Sequence, residues 1–233
     1  MQLLSPIPEC TLIITTKEDG NIDGIESAER VVRSVSNLET IPVVLPTHEH
    51  RTGVREITKE NMLEVEFPGD ILLTKERHVA LVHQFADCVP VLLIDRKRKA
   101  VGFSHLGWKG LLTGGIQASV LSMEAKFDSV PEDLWIWIGP CIQKKSYTFE
   151  DAPAQKNIPG WEECVTKEDE KYQIDLPLFI IKECERLHID PTRIINDGRD
   201  TFEEKDIFFS RTRYKSKHNP KDKGNFAVFA WIN

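Results

Sequence analysis

A cysteine and a histidine that stand seventeen positions apart, Cys88 and His105, have the most informative chemistry in this chain. Cys88 precedes a run rich in valine, leucine and isoleucine, which predicts a buried strand. A charged turn follows at residues 96–99, and residues 101–104 predict a returning strand that ends beside His105. A hairpin of this kind would bring the two side chains together. A thiolate with an imidazole suits zinc or copper, and it also suits a nucleophilic cysteine with its base.

A second pair of candidates, His48 and His50, lies in a short polar segment that follows a predicted strand. Alternate side chains of an extended segment point to the same side, so both imidazoles could face one cavity. The competing interpretation is a solvated loop, because Glu49 and residues 51–52 are hydrophilic. The other histidines are predicted to be structural or surface groups: His78, His83, His188 and His218.

The segment after His105 combines two glycines with an aromatic ring and a cation, Trp108 and Lys109. Glycine allows the backbone to approach a ligand closely, and a tryptophan can stack on a planar ligand. The segment at residues 107–110 is therefore a further candidate for contact with a ligand.

The elements that must position these residues mix strands and helices. Strands are predicted at residues 11–16, 43–45, 71–74, 79–85, 134–138, 194–195, 207–209 and 226–232. Helices are predicted at residues 27–35, capped by Ser27, at 111–127 and at 177–187, and residues 215–224 are predicted to be a basic loop. Without strict β-α-β alternation, the pattern favours an α+β fold with mixed sheets covered by helices, in one domain over residues 1–233.

Composition limits the class of protein. The 233 residues carry a net charge of −7, which argues against a general nucleic-acid binder. The five cysteines form no CxxC pair and predict no disulfide framework, as expected of a reducing compartment. The apolar runs are too short for a membrane span, and the first residues do not resemble a signal peptide. We therefore expect a cytoplasmic protein that binds neither membrane nor nucleic acid.

Several blocks resemble the signature of the YfiH family, also called the multicopper polyphenol oxidase or laccase family. They are Ala86-Asp87-Cys88-Val89-Pro90, His105-Leu106-Gly107-Trp108-Lys109-Gly110, Ile138-Gly139-Pro140-Cys141-Ile142 with Tyr147, and Phe208-Phe209-Ser210-Arg211. The resemblance covers roughly residue 40 to the end. It implies a layered α/β/β/α structure and a metal site of two histidines and one cysteine. It also implies purine nucleoside phosphorylase activity, with deamination of adenosine and cleavage of methylthioadenosine, whereas older descriptions name copper laccases.

The resemblance assigns the ligands residue by residue. The family's first histidine stands in a pattern like Gln-Val-His-Gly-x-x-Val, whose last valine is best matched by Val54. The ligand is then His50, and His48 takes the glutamine position. Cys88 and His105 match the other two ligands. Such a His₂Cys set leaves a position open for water or substrate, as catalytic zinc requires.

Three positions depart from the family pattern. Lys109 replaces an arginine and so loses the two-pronged guanidinium, Asp200 replaces a cysteine, and Asn225 replaces an arginine. The changes at residues 109 and 225 replace arginines, which are cations that could hold phosphate. They therefore affect the predicted substrate more than the predicted metal site.

The function predicted from these residues is a zinc enzyme, or alternatively a copper enzyme, that acts on a purine nucleoside and phosphate as a monomer or weak homodimer. Predicted metal ligands are His50, Cys88 and His105; predicted catalytic residues are Cys88, His105 and Lys109; predicted substrate-binding residues are His48, Trp108 and Arg211. Three alternatives stay open: a copper oxidoreductase acting on phenols, a hydrolase with Cys88 as nucleophile and His105 as base, and an inactive metal-binding fold.

Overall fold

The computed structural model describes residues 1–35, 40–64 and 67–233. The strands in chain order are β1 Gln2–Ile7, β2 Cys10–Ile14, β3 Val43–Val44, β4 Val54–Ile57, β5 Ile71–Thr74, β6 Ala80–Phe85, β7 Val89–Asp95, β8 Ala100–Leu106, β9 Leu134–Ile138, β10 Thr148–Phe149, β11 Val165–Glu168, β12 Lys171–Ile174, β13 Ile194–Asn196 and β14 Phe226–Ile232. The helices are α1 Ile25–Arg33, α2 Trp108–Leu112, α3 Gly115–Phe127, α4 Leu176–Arg186 and α5 Arg211–Lys217.

Two mixed sheets form the centre of the molecule. One has the order β1-β2-β14-β6-β3, and the other has the order β13-β9-β7-β8-β5-β4. A small third sheet, β10-β12-β11, lies outside them. β7 and β8 are antiparallel, with Pro90 opposite His105, as the predicted hairpin requires.

Apolar side chains fill the spaces between these layers. Leu81, Phe85, Leu92, Phe103 and Phe226 belong to a buried cluster that joins the two large sheets. A second cluster packs α3 and α4 on the outer face of the β7–β8 sheet, and a third packs α1 on the opposite sheet. Burial of each such side chain contributes about 1.5–3 kcal/mol. The predicted α+β class and its α/β/β/α layering are confirmed.

The helix predicted at residues 111–127 is divided into α2 and α3. Gly114 has a left-handed φ of 82° and separates them. The paired glycines at positions 114 and 115 lower the helix propensity, and the left-handed turn at the first of them interrupts the helix. The first of the two helices, α2, begins at Trp108, immediately after the glycine that follows the β8 strand.

Two further predictions near the C-terminus are wrong. Residues 207–209 form no strand, because the amides of Ile207 and Phe208 bond back to the Glu204 carbonyl as turns. The segment predicted as a basic loop from residue 215 instead overlaps the end of α5. Ser210 begins that helix by accepting from the Arg213 amide at 3.1 Å.

Helix α1 was predicted with a different start. It begins at Ile25, and Ser27 lies inside its first turn. The Ser27 hydroxyl still accepts from the Asp23 and Gly24 amides, at 3.0 and 3.1 Å. No helix in the described part of the chain has the length and apolar character to cross a bilayer.

Candidate active site and metal centre

The β7–β8 hairpin brings Cys88 and His105 to the same end of the sheet. Cys88 immediately precedes β7, and His105 is the penultimate residue of β8. Gly107 follows, and a Cβ at this position would lie 2.8 Å from the Cys88 Sγ. The close approach of the thiol therefore favours glycine here, whereas the backbone of Gly107, with φ −89°, would accept any residue.

Asp70 holds the loop that carries His50. The Asp70 carboxylate accepts the backbone amides of Glu49, His50 and Arg51, at 3.3, 3.0 and 2.8 Å. His50 has a left-handed φ of 57°, so its segment is not the extended one assumed from sequence. The fully buried Asp70 also accepts the amide of His105 through its backbone oxygen, at 2.8 Å. One residue thus positions both histidines.

The three predicted ligands converge. Ligand atoms of His50, Cys88 and His105 all lie within 4.8 Å of one another. A zinc–ligand bond is about 2.0–2.3 Å, so the side chains must move closer together for one ion to contact all three. His50 is exposed, Cys88 is half-buried and His105 is buried, so the cluster opens toward solvent on one side.

Burial and nearby carboxylates determine the protonation of His105 and Cys88, and hence how each side chain could bind a cation. His105 Nδ1 lies 3.4 Å from the Asp70 carboxylate, which leaves Nε2 with its lone pair. Burial lowers the pKa of His105, and the ring is neutral as a ligand must be. Burial beside the Asp87 and Asp70 carboxylates raises the pKa of the Cys88 thiol to about 12. A bound cation would reverse that shift by stabilising the thiolate.

His48 lies beside this cluster without joining it. Its ring stacks on His105 with centroids 4.0 Å apart, and its Nε2 is 2.8 Å from Nδ1 of His83. His83 is fully buried, and burial lowers its pKa to about 3. Of the two alternatives expected for His83, structural or surface, its burial inside β6 excludes the surface. The available signal was its alternation with Leu81 and Phe85, which places it on an inward-facing side of a strand.

A cavity of about 870 Å³ opens over the cluster. All the predicted site residues line it: His48, His50, Cys88, His105, Trp108, Lys109 and Arg211. Ile142, Tyr147, Phe149 and Leu176 form the apolar part of its lining. Ile142 and Tyr147 belong to one of the signature blocks, but no role was predicted for any of the four. Trp108, Lys109 and Arg211 are exposed, so this cavity combines the cluster of nitrogen and sulfur atoms with exposed cations at its rim.

Asp87 connects Cys88 to α5. Its φ is 90°, a conformation that an L residue other than glycine adopts only under constraint. The carboxylate accepts the Thr201 hydroxyl at 2.9 Å and the Thr212 amide at 2.7 Å. Arg211 is the neighbour of Thr212, so Asp87 fixes the distance between the cysteine and the start of that helix.

The three departures from the family pattern occupy different places. Lys109 and Asn225 line the cavity, where a guanidinium would reach further than either. Asp200 does not line the cavity; it is buried and accepts the Ser146 hydroxyl at 2.6 Å. The Asp200 replacement is therefore accommodated by a local hydrogen bond.

Residues 14–233 match the family described as multi-copper polyphenol oxidoreductase laccase. The chain belongs to this family. A purine nucleoside phosphorylase of Bacteroides thetaiotaomicron is 29% identical over 168 residues, 62% of this chain and 62% of that protein. One of Clostridium acetobutylicum is 26% identical over 212 residues, 88% of this chain and 87% of that protein. The chain thus spans about three fifths of the first relative's length and nearly nine tenths of the second's.

The fold of this laccase-family chain is also that of a solved structure. The crystal structure of the hypothetical protein YfiH of Bacillus licheniformis superposes with a TM-score of 0.81 at 21% identity. The superposition covers 99% of this chain and 99% of that chain. The family resemblance predicted from the Cys88 and His105 blocks is confirmed, and the His-Cys-His cluster suits the metal binding that the family implies.

Proposed function

We propose that this protein is a metal-dependent purine nucleoside phosphorylase that also deaminates adenosine and cleaves methylthioadenosine. The observation that carries the proposal is the convergence of His50, Cys88 and His105 at one end of a cavity with cations at its rim. The two relatives named above are purine nucleoside phosphorylases, which supports the same substrate class.

The donor set fits a zinc ion. Two imidazoles and one thiolate are common zinc ligands, and three protein ligands leave one coordination position open. Asp70 supplies the carboxylate partner that orients the ligand His105 and raises its basicity. When bound, zinc supplies Lewis acidity, which makes water a stronger nucleophile for deamination at the purine ring.

The remaining roles belong to the chain's own residues. In phosphorolysis a phosphate oxygen forms a bond to C1′ while the bond from C1′ to the purine nitrogen breaks and the base takes a proton. Lys109 and Arg211 would hold the phosphate by charge-assisted hydrogen bonds. Trp108 would stack on the purine, and the apolar wall around Tyr147 and Phe149 would exclude water.

The cavity size agrees with these roles. About 870 Å³ suits a nucleoside together with one phosphate, since pockets for drug-sized ligands have volumes of roughly 300–1,000 Å³. A laccase normally needs several coppers and many histidines. This chain has seven histidines, and the described residues bring three ligands together as one cluster. A single-ion nucleoside enzyme is therefore favoured over a multicopper oxidase.

Chelation and alkylation separate the metal enzyme from a cysteine hydrolase. The purified protein would be assayed for phosphorolysis of adenosine and inosine and for deamination of adenosine, before and after verified metal removal. We expect chelation to abolish turnover and zinc to restore it, with copper tested in parallel against a phenolic substrate. Full turnover after metal removal, with loss only on alkylation of Cys88, would establish the hydrolase instead.

A further inference from the structure

The histidine pair His48–His83 connects the interior of the sheet sandwich with the cavity. His48 Nε2 lies 2.8 Å from His83 Nδ1, and His83 Nε2 lies 3.1 Å from the carbonyl oxygen of Phe103. His48 lines the cavity, whereas His83 is fully buried in β6. Neither residue belongs to the three-residue ligand cluster.

The surroundings of His83 require a neutral ring. It lies on the same face of β6 as Leu81 and Phe85, which belong to the apolar cluster between the two sheets. The rings of Phe85 and Phe103 are 6.3 and 4.9 Å away. No carboxylate of the described residues bonds to His83, so an imidazolium there would be a buried charge without an ionic partner. A cation bound by the neighbouring ligands would disfavour that charge further.

Neutrality determines which nitrogens of the pair carry protons. A carbonyl oxygen only accepts, so His83 must donate to Phe103 from Nε2. The neutral ring then has a lone pair on Nδ1, and the proton in the 2.8 Å contact comes from His48 Nε2. His48 is neutral as well, because its half-buried ring lies against the rings of His105 and His83, and no carboxylate of the described residues bonds to it. Its lone pair is therefore on Nδ1.

The His48 Nδ1 atom is available for a ligand. Within the parts of the chain that the structure describes, it takes part in no hydrogen bond, and it is not one of the fully buried side-chain atoms that lack a partner. Its ring is packed on His105, so the direction of the lone pair is fixed by the stacked contact as well as by His83. Such a nitrogen accepts a hydrogen bond and cannot donate one.

We propose that His83 is a positioning residue that holds His48 as its Nε2–H tautomer, so that Nδ1 accepts a hydrogen bond from a ligand in the cavity. Only the identity of this ligand rests on the proposed function: it is an N–H or O–H group of the nucleoside. The pair selects for a donor at this point of the substrate and against a group that only accepts.

Nitrogen-15 NMR tests the tautomer directly. Long-range proton–nitrogen spectra of the labelled protein distinguish a protonated ring nitrogen from one with a lone pair, with zinc absent and with zinc bound. We expect a protonated Nε2 and an unprotonated Nδ1 for His48 in both states. A His48 protonated on Nδ1, a doubly protonated His83 at neutral pH, or zinc bound to His48 Nδ1 would overturn the proposal.

Two variants separate positioning from simple packing. His83→Gln keeps an acceptor for His48 and a donor for Phe103, whereas His83→Leu removes both and keeps an apolar side chain. We expect His83→Gln to preserve the His48 tautomer and His83→Leu to give a mixture. The KM for nucleoside should rise about three- to tenfold in the leucine variant and less in the glutamine variant.

The outcomes remain separable if one variant is unstable. A folded His83→Leu protein in which His48 stays entirely in the Nε2–H form would contradict the positioning role. If His83→Leu does not fold, the wild-type and His83→Gln spectra still decide the tautomer. A wild-type protein without phosphorolysis would refute the proposed function and leave the NMR result to judge the histidine pair alone.

Discussion

The two sides of the cavity are held in different ways. On the histidine side, formed by His50, Cys88 and His105, side chains adjoin sheet strands or a loop fixed by Asp70. On the cation side, Lys109 and Arg211 are exposed and stand on helices of five and seven residues. The proposed metal ligands are therefore positioned before any ligand binds. The cations retain rotamer freedom, which binding must remove.

On the cation side, buried contacts fix the position of α5, the helix that carries Arg211. Arg213, in the first turns of α5, is buried and donates to the carbonyls of Thr201 and Phe208, at 2.7 and 2.6 Å. It also forms an ion pair of 2.7 Å with the buried Asp222. The helix position is therefore fixed, and only the Arg211 side chain is left to adjust to a ligand.

The largest effect is expected from removing one ligand on the histidine side. His50→Ala should lose zinc and lower turnover by more than the roughly 10- to 100-fold typical of outer partners. His48→Ala is the matched variant and should keep zinc, because His48 bonds to His83 instead. Zinc content measured by elemental analysis checks both. Zinc lost from the His48 variant and kept by the His50 variant would mean that the ligand is His48.

Asp70→Asn tests whether the histidine side depends on its carboxylate. The pKa of Asp70 is raised by burial but lowered more by the His105 side chain and by backbone amides of residues 50 and 51, so the net pKa is low. Asparagine keeps one oxygen and loses the charge that orients His105. We expect zinc affinity to fall about 10- to 100-fold. Unchanged affinity in a competition titration would exclude this role.

The contrast also explains how much could be predicted from sequence. Cys88 and His105 were predictable because a short hairpin places them in adjacent strands and the flanking blocks are specific. The position of Asp70 was not, since it depends on β5 lying next to β8 in the sheet, a long-range pairing with no local signal. The hydrogen bond of His83 could not be predicted for a related reason, because its partner Phe103 belongs to the opposite sheet.

Two elements, the segment 207–209 and the helix over 111–127, also differ from the structure predicted from their sequence. Residues 207–209 have a strand-like composition, but the Phe208 carbonyl accepts a hydrogen bond from the Arg213 side chain. The rings of Phe208 and Phe209 are buried although the segment forms a turn. The split between α2 and α3 follows from one left-handed glycine, Gly114. Local composition predicted apolar or helical segments, and their geometry was decided by the Arg213 hydrogen bond in one case and by the left-handed backbone of Gly114 in the other.

On the cation side, Lys109→Ala should affect one reaction and not the other. If Lys109 holds phosphate, loss of a charge-assisted contact costs about 1.5–3 kcal/mol, roughly ten- to a hundredfold in kcat/KM for phosphate. Deamination uses no phosphate and should change little. Lys59→Ala, at another exposed lysine, is the control. Equal loss of both reactions would indicate damage to the metal site instead.

The smallest effect concerns the buried contacts that fix α5 on the cation side. Burial raises the pKa of Asp222, but bonds from Arg213 and Lys17 outweigh it, and the net pKa is lowered. Stability from this carboxylate is present above its unfolded pKa of about 3.9 and is lost as pH falls through the folded value. Lys17→Met should cost up to about 1 kcal/mol at pH 7 and less near pH 3. Urea unfolding at both pH values checks this, and an equal loss at both would assign the effect to packing.

X-ray absorption at the zinc edge tests the central claim most directly, because it reports the ligands of the bound ion without relying on turnover. For the reconstituted protein we predict one ion per chain with one sulfur at about 2.3 Å and two imidazole nitrogens at about 2.0–2.1 Å. Cys88→Ser should remove the sulfur signal and keep the nitrogens. Zinc that binds without sulfur, or a sulfur signal that persists in Cys88→Ser, would contradict a site formed by His50, Cys88 and His105.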